Sequence, residues 1–114
     1  MFIISVTAYA DFDIPYEVNV VALKNKEDAD KLTMILNTFC AELSKKDEDV
    51  RLIKYLRNID ILKDLKDSIF KETQMNGIEI NLLLDILISI CEENYVYSYS
   101  DIFKVQNMKE LLCS

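Results

Sequence analysis

From Phe2 to Tyr9 the chain reads FIISVTAY, and from Glu17 to Leu23 it reads EVNVVAL. Both runs are rich in β-branched and aromatic residues, whose side chains fit a pleated surface. Between them Ala10-Asp11-Phe12-Asp13-Ile14-Pro15-Tyr16 carries turn formers and a proline that cannot donate to a ladder. The pattern predicts an antiparallel hairpin with a fairly long connection. In the second strand, strict alternation would put Val18, Val20 and Ala22 on one face and Asn19 and Val21 on the other.

The period then changes to that of a helix. Asn25 is placed to cap, with Asp28 three residues on, and Glu27, Asp28 and Asp30 crowd a first turn that favours negative charge. Ala29, Leu32, Ile35, Leu36, Phe39, Cys40 and Leu43 follow as one apolar stripe, up to the charged linker Ser44–Asp49. A second helical region runs from Arg51 to about Lys71, with Leu52, Leu56, Ile59, Leu62, Leu65 and Ile69 as its ridge. Asn58-Ile59-Asp60 offers a break in it, with Asp60 able to cap a fresh start. Gly77, the only glycine, punctuates as a C-cap or turn, and Asn81 is placed to cap a helix over Leu82–Glu93. That helix is apolar on three sides, as expected of a central helix or one buried between copies.

Tyr95-Val96-Tyr97-Ser98-Tyr99 alternates with period 2 and predicts a short third strand, extendable through Ile102–Val105, with two of its rings on one side. Asn107 and Glu110 outline a capping box for a short terminal helix. The predicted class is α+β: an N-terminal β-hairpin, extendable to a three-stranded antiparallel sheet, packed against three or four helices. At 114 residues the chain is read as a single domain over 1–114.

Composition narrows the chemistry. There is no histidine and no tryptophan, so no histidine triad, histidine-ligated zinc or imidazole acid–base pair can be built. One glycine cannot supply a phosphate-cradling loop, which needs several. Cys40, Cys91 and Cys113 are odd in number and lack a C-x-x-C pair, which points to a reducing, cytoplasmic setting. Cys40 and Cys91 are expected in the core and Cys113 as an exposed thiol. Met1–Ala10 lacks the basic region of a signal peptide, and no stretch is apolar enough to span a membrane.

The formal charge is −7, which opposes direct binding to nucleic acid or anionic membrane and favours a protein partner with a basic surface. It is unevenly spread: residues 1–49 carry −5, residues 50–75 carry +2 and residues 76–114 carry −4. Arg51, Lys54 and Arg57 form a small basic stripe, read as an ordinary solvated face. Asp11 and Asp13 beside Glu17 resemble oxygen ligands for a cation, yet they lack a twelve-residue calcium frame and read as a solvated turn. No cofactor, metal or enzymatic activity is expected, because no nucleophile motif accompanies these carboxylates.

The tyrosines carry the most information. Tyr9 and Tyr16 flank the hairpin connection, and Tyr95, Tyr97 and Tyr99 lie on the predicted third strand. Tyrosine gives large contact area at low entropy cost and is enriched at binding hot spots. Candidate partner-binding residues are therefore Asp11, Asp13, Tyr16 and Glu17 at the hairpin, with Glu92, Glu93, Tyr95 and Tyr97 as a second patch.

The opening hairpin, followed by Lys26-Glu27-Asp28-Ala29-Asp30-Lys31-Leu32 in a low-glycine, Ile/Lys/Asn/Asp-rich chain, resembles small phage-encoded accessory proteins, anti-CRISPRs among them. The resemblance covers about the first third of the chain. It implies a small, acidic, non-catalytic anti-defence inhibitor that acts in a bacterial cytoplasm by occupying a functional surface of a host protein. An alternative is an obligate homo-oligomer or assembly module built on the apolar 82–91 helix.

Overall fold

The computed structural model describes residues 1–10, 14–46 and 50–107. Expectations for Asp11, Asp13, the 47–49 linker, the terminal helix beyond Asn107 and Cys113 lie outside the described residues. Elements follow in the order β1 (Phe2–Tyr9), β2 (Pro15–Leu23), α1 (Lys26–Lys46), α2 (Leu52–Leu56), α3 (Ile59–Glu72), α4 (Gly77–Glu93) and β3 (Phe103–Asn107). The class is α+β, with one antiparallel sheet ordered β2-β1-β3.

The hairpin forms as its composition dictates, with Val6 opposite Val18 and Ile4 opposite Val21. The register shifts between Ile4 and Ser5, leaving Val20 as the extra residue of a bulge. The bulge overturns the expected alternation in β2. Val18 and Val21, not Val18 and Ala22, pair with the buried Val6 and Ile4, and Ala22 is exposed opposite Ile3.

The third strand is β3, not Tyr95–Tyr99. Phe103 pairs with Val6 and Val105 with Ile4, so Ile4 and Val6 are flanked by apolar neighbours on both sides. Only the distal end of the predicted extension belongs to the sheet, while Tyr95 and Tyr97 make single bridges to Tyr9 and Arg51. The outer edge of β3 is covered by α1. The Asn37 side chain donates to the Phe103 carbonyl at 3.0 Å and accepts from the Phe103 N–H at 2.9 Å. Pairing one residue's two backbone groups in this way blunts an edge that could otherwise recruit another strand.

Asn25 caps α1 as predicted, its Oδ1 accepting from the Glu27 and Asp28 N–H groups at 2.8 and 3.4 Å. The Asp28 carboxylate turns elsewhere and accepts from the Gln74 N–H at 3.2 Å, tying the start of α1 to the end of α3. Ala29, Leu32, Leu36, Cys40 and Leu43 form the buried face of α1. Fully burying a leucine is worth about 1.5–3 kcal/mol, so this stripe, and not helix propensity, holds α1 in place.

The second helical region breaks where expected, but the cap is Asn58, not Asp60. Asn58 Oδ1 accepts from the Asp60 and Ile61 N–H groups at 3.0 and 3.2 Å. Ile59, expected on the apolar ridge, is 80% exposed as the first residue of α3. The fourth helix starts five residues earlier than predicted. Asn76 caps it in a reciprocal box with Glu79, at 2.8 and 3.1 Å, and Asn81 is exposed within it. Gly77 is thus the first residue of α4, not the end of a preceding helix. Ile80, Leu83, Leu84, Leu87 and Cys91 bury one face of α4, while Ile78 and Leu82 remain 82% and 60% exposed. One apolar cluster gathers buried residues from every strand and helix. No helix among the described residues is long and apolar enough to cross a membrane.

Candidate functional site

The tyrosines converge at one end of the sheet. Leaving α4, the chain runs extended alongside both the end of β1 and the start of α2. The Tyr9 N–H donates to the Tyr95 carbonyl at 2.8 Å, and the Leu52 N–H donates to the Val96 carbonyl at 2.8 Å. Ser98 donates to the Val50 carbonyl from both its N–H and its hydroxyl, each at 3.2 Å. Val96 and Ser98 point inward and are 1% and 2% exposed, leaving Tyr95, Tyr97 and Tyr99 on the outer side. All three rings, and not two, share this side, as positions two apart on extended backbone must. The Tyr99 N–H closes onto the Tyr97 carbonyl at 2.9 Å, a three-residue turn that brings their rings to 6.2 Å. Tyr97 also meets Tyr9, with ring centroids 5.7 Å apart.

Tyr16 completes the group from β2. Its hydroxyl donates to Asn94 Oδ1, and the Asn94 side-chain amide donates to the Ile90 carbonyl at 2.9 Å, at the C-terminus of α4. The expected second patch is therefore continuous with the described part of the first, Tyr16 and Glu17.

Arg51 lies beneath this surface. Its guanidinium sits 4.6 Å from the centre of the Tyr95 ring, and Nη2 approaches the Cys91 and Asn94 carbonyls at 3.5 and 3.4 Å. A cation here faces the negative end of the α4 dipole and holds Tyr95 by its face. The predicted basic stripe is consequently dispersed: Arg51 is half-buried, Lys54 stands over the Tyr55 ring at 5.8 Å, and Arg57 reaches Glu92 at 3.9 Å. Sequence reading missed Arg51 as part of the site, since only the fold sets it against Tyr95.

The described carboxylates form a mixed rim. Glu17 faces Lys104 at 3.8 Å across the central strand, Glu92 faces Arg57, and Glu93 is exposed, with no ion pair among the described residues. These long, solvated pairs contribute little stability and are free to re-pair with a partner. Among the described residues no group of three His, Cys, Asp or Glu side chains is placed to hold a metal. Cys40 and Cys91 are buried free thiols, as expected. Burial pushes both up to about 12; the Cys91 thiol adds to the rise at Cys40, and Arg51 partly offsets it at Cys91. Such thiols stay protonated and unreactive at neutral pH. No family model, curated protein or solved structure matches this chain.

Proposed function

We propose that the protein is a small protein-binding inhibitor whose contact surface is the cluster of Tyr9, Tyr16, Tyr95, Tyr97 and Tyr99. The observation that carries this reading is that two segments far apart in sequence are bonded together at one end of the sheet, where the Tyr9, Tyr97 and Tyr99 rings form a chain of contacts and Tyr16 and Tyr95 stand exposed beside them. Tyr16, Tyr95 and Tyr99 keep 37%, 44% and 39% of their surface open, while their backbones are fixed by buried neighbours. Rings already held in place lose little entropy on binding, which favours affinity at a given contact area. Glu17, Glu92 and Glu93 at the rim, together with the −7 overall charge, suit a target that presents a basic functional surface. In its fullest form the reading is a phage anti-defence protein that blocks such a surface sterically.

The test is a phage-plating assay in bacteria whose nuclease-based immunity restricts the phage. Expression of the chain should restore plating, and Tyr95→Ala should abolish the restoration with melting temperature unchanged. Hot-spot aromatics of this kind typically cost about 2 kcal/mol or more when truncated. Restoration by Tyr95→Ala equal to that of the native chain would remove the tyrosine surface from the mechanism. A second reading, self-association through α4, rests on exposed Ile78 and Leu82, one turn apart on the same face. A monomer by light scattering at micromolar concentration would dismiss it.

A further inference from the structure

Away from the tyrosines, α1 and α3 enclose an open groove of about 600 Å³. Ile35, Phe39, Ile61 and the buried Leu43 and Leu65 form its floor, and Met34 stands on the rim 68% exposed. The bond from the Gln74 N–H to Asp28 places the end of α3 beside the start of α1, so the helices run antiparallel along the groove. Lys31 to Lys46 on α1 line about 22 Å of it, the length of a helix of about fifteen residues.

Charge distinguishes the two walls. On α1, Lys31 is held by Glu27 at 3.1 Å and Glu42 by Lys45 at 3.3 Å, so these charges largely cancel, and Lys46 adds one cation at the end of the groove. On α3, the groove is lined by Asp64, Ser68 and Glu72, one turn apart, and neither acid is in an ion pair among the described residues. Asp60 and Asp67, four residues before and three after Asp64, extend the same ridge, which ends at Lys71. Lys66, two residues from both Asp64 and Ser68, projects from the opposite side. The groove thus has an apolar floor, an adaptable methionine at its rim and one acidic wall.

We propose that this groove docks an amphipathic helix of a partner protein, with the helix's apolar stripe on the floor and a flanking row of Lys or Arg against Asp64 and Glu72. A second copy of this chain is a poor occupant. Two molecules of charge −7 repel, and the only short basic helix described, α2, buries its Leu52, Ile53 and Leu56 in its own core. The site is separate from the tyrosine surface and stands or falls without it.

The experiment uses two synthetic helical peptides of about fifteen residues with the same Leu/Ile stripe at i, i+3, i+4, i+7 spacing, one flanked by Lys and the other by Glu. Fluorescence anisotropy should show saturable binding of the Lys peptide to the native chain and at least tenfold weaker binding of the Glu peptide. The double variant Asp64→Lys with Glu72→Lys, both exposed and tolerant of change, should invert that preference with melting temperature unchanged. Three results would overturn the proposal: no saturable binding of the Lys peptide, equal affinity for both peptides, or a preference unchanged by the double reversal. A dimer seen by light scattering and dissolved by Met34→Glu would also overturn it, by assigning the groove to a second copy.

Discussion

The tyrosine end of the sheet and the α1–α3 groove both leave apolar surface open, but they are built differently. At the tyrosine end, hydrogen bonds from Tyr9, Leu52 and Ser98 fix the backbone, and Val96 and Ser98 anchor the rings from below. In the groove, side chains project from two helices, and among the described residues the hydrogen bond from Gln74 to Asp28 at one end alone joins the walls. The first surface is rigid and aromatic, suited to one partner shape. The second is a trough of aliphatic and methionine side chains, able to accept varied apolar stripes. The difference teaches that exposed apolar area alone does not describe a binding surface; what fixes its backbone matters as much.

Both regions rest on one core, and alkali should break them together. Cys40 faces inward from the groove helix, and Cys91 lies at the tyrosine end of α4. Burial raises both thiols from 9.0 to about 12, so the folded state holds protons that the unfolded state releases. Their contribution is fully present below pH 9 and is lost as pH rises towards 12. Urea midpoints should therefore fall steeply over that window, and the fall should shrink in Cys40→Ala, measured relative to that variant's own neutral midpoint. At about pH 8.5, where an exposed thiol is already partly ionised, iodoacetamide should leave Cys40 and Cys91 unmodified in the folded protein.

A mutation can then separate the two regions. Leu52 is fully buried and donates its N–H to Val96, so Leu52→Ala should cost about 2–5 kcal/mol and loosen the tyrosines. Met34→Ala at the groove should change stability by no more than about 0.5 kcal/mol. Chemical denaturation measures both. Comparable losses would mean that the groove side chains carry structural weight not visible in their exposure.

Asn94→Ala removes the bond from Tyr16 and the bond to Ile90 together, and should cost about 1 kcal/mol. Near-ultraviolet circular dichroism should change with it, because Tyr16 loses its anchor. The smallest effect has the opposite sign. Gly77 begins α4, and a Cβ added there meets nothing within 4 Å. Gly77→Ala should therefore stabilise by about 0.4–1 kcal/mol, by narrowing the unfolded ensemble. A loss of stability would show that this helix start needs glycine.

The parts of the fold legible in the sequence are those set by local period. The β-branched runs of the hairpin and the stripe from Ala29 to Leu43 each need only neighbouring residues to be read. Asn76 and Glu79 also spelled a local box, yet Asn81 offered a competing cap and the apolar run after it drew the boundary late. The third strand was misplaced for a physical reason. Tyr95–Tyr99 has the stronger strand composition, but Phe103–Asn107 has the partner, since Phe103 and Val105 meet Val6 and Ile4 on β1. The bulge at Val20 is likewise set by pairing, not by the strand's own residues. At the site, the tyrosines stood out as a residue type, while their meeting did not, because Tyr16 and Asn94 are 78 positions apart. Arg51 under Tyr95 and the acidic wall of the groove depend on which helix faces lie side by side.

The central claim is that the tyrosine cluster is the surface through which the protein engages its target. It is tested most directly by placing a photo-crosslinking amino acid at Tyr95 and, separately, at exposed Ile59, in the cells where the protein is naturally made. The account predicts one dominant adduct, to the same host protein in repeat experiments, from position 95 and none to that protein from position 59. Equal adducts from both positions, or an adduct from position 59 alone, would contradict it.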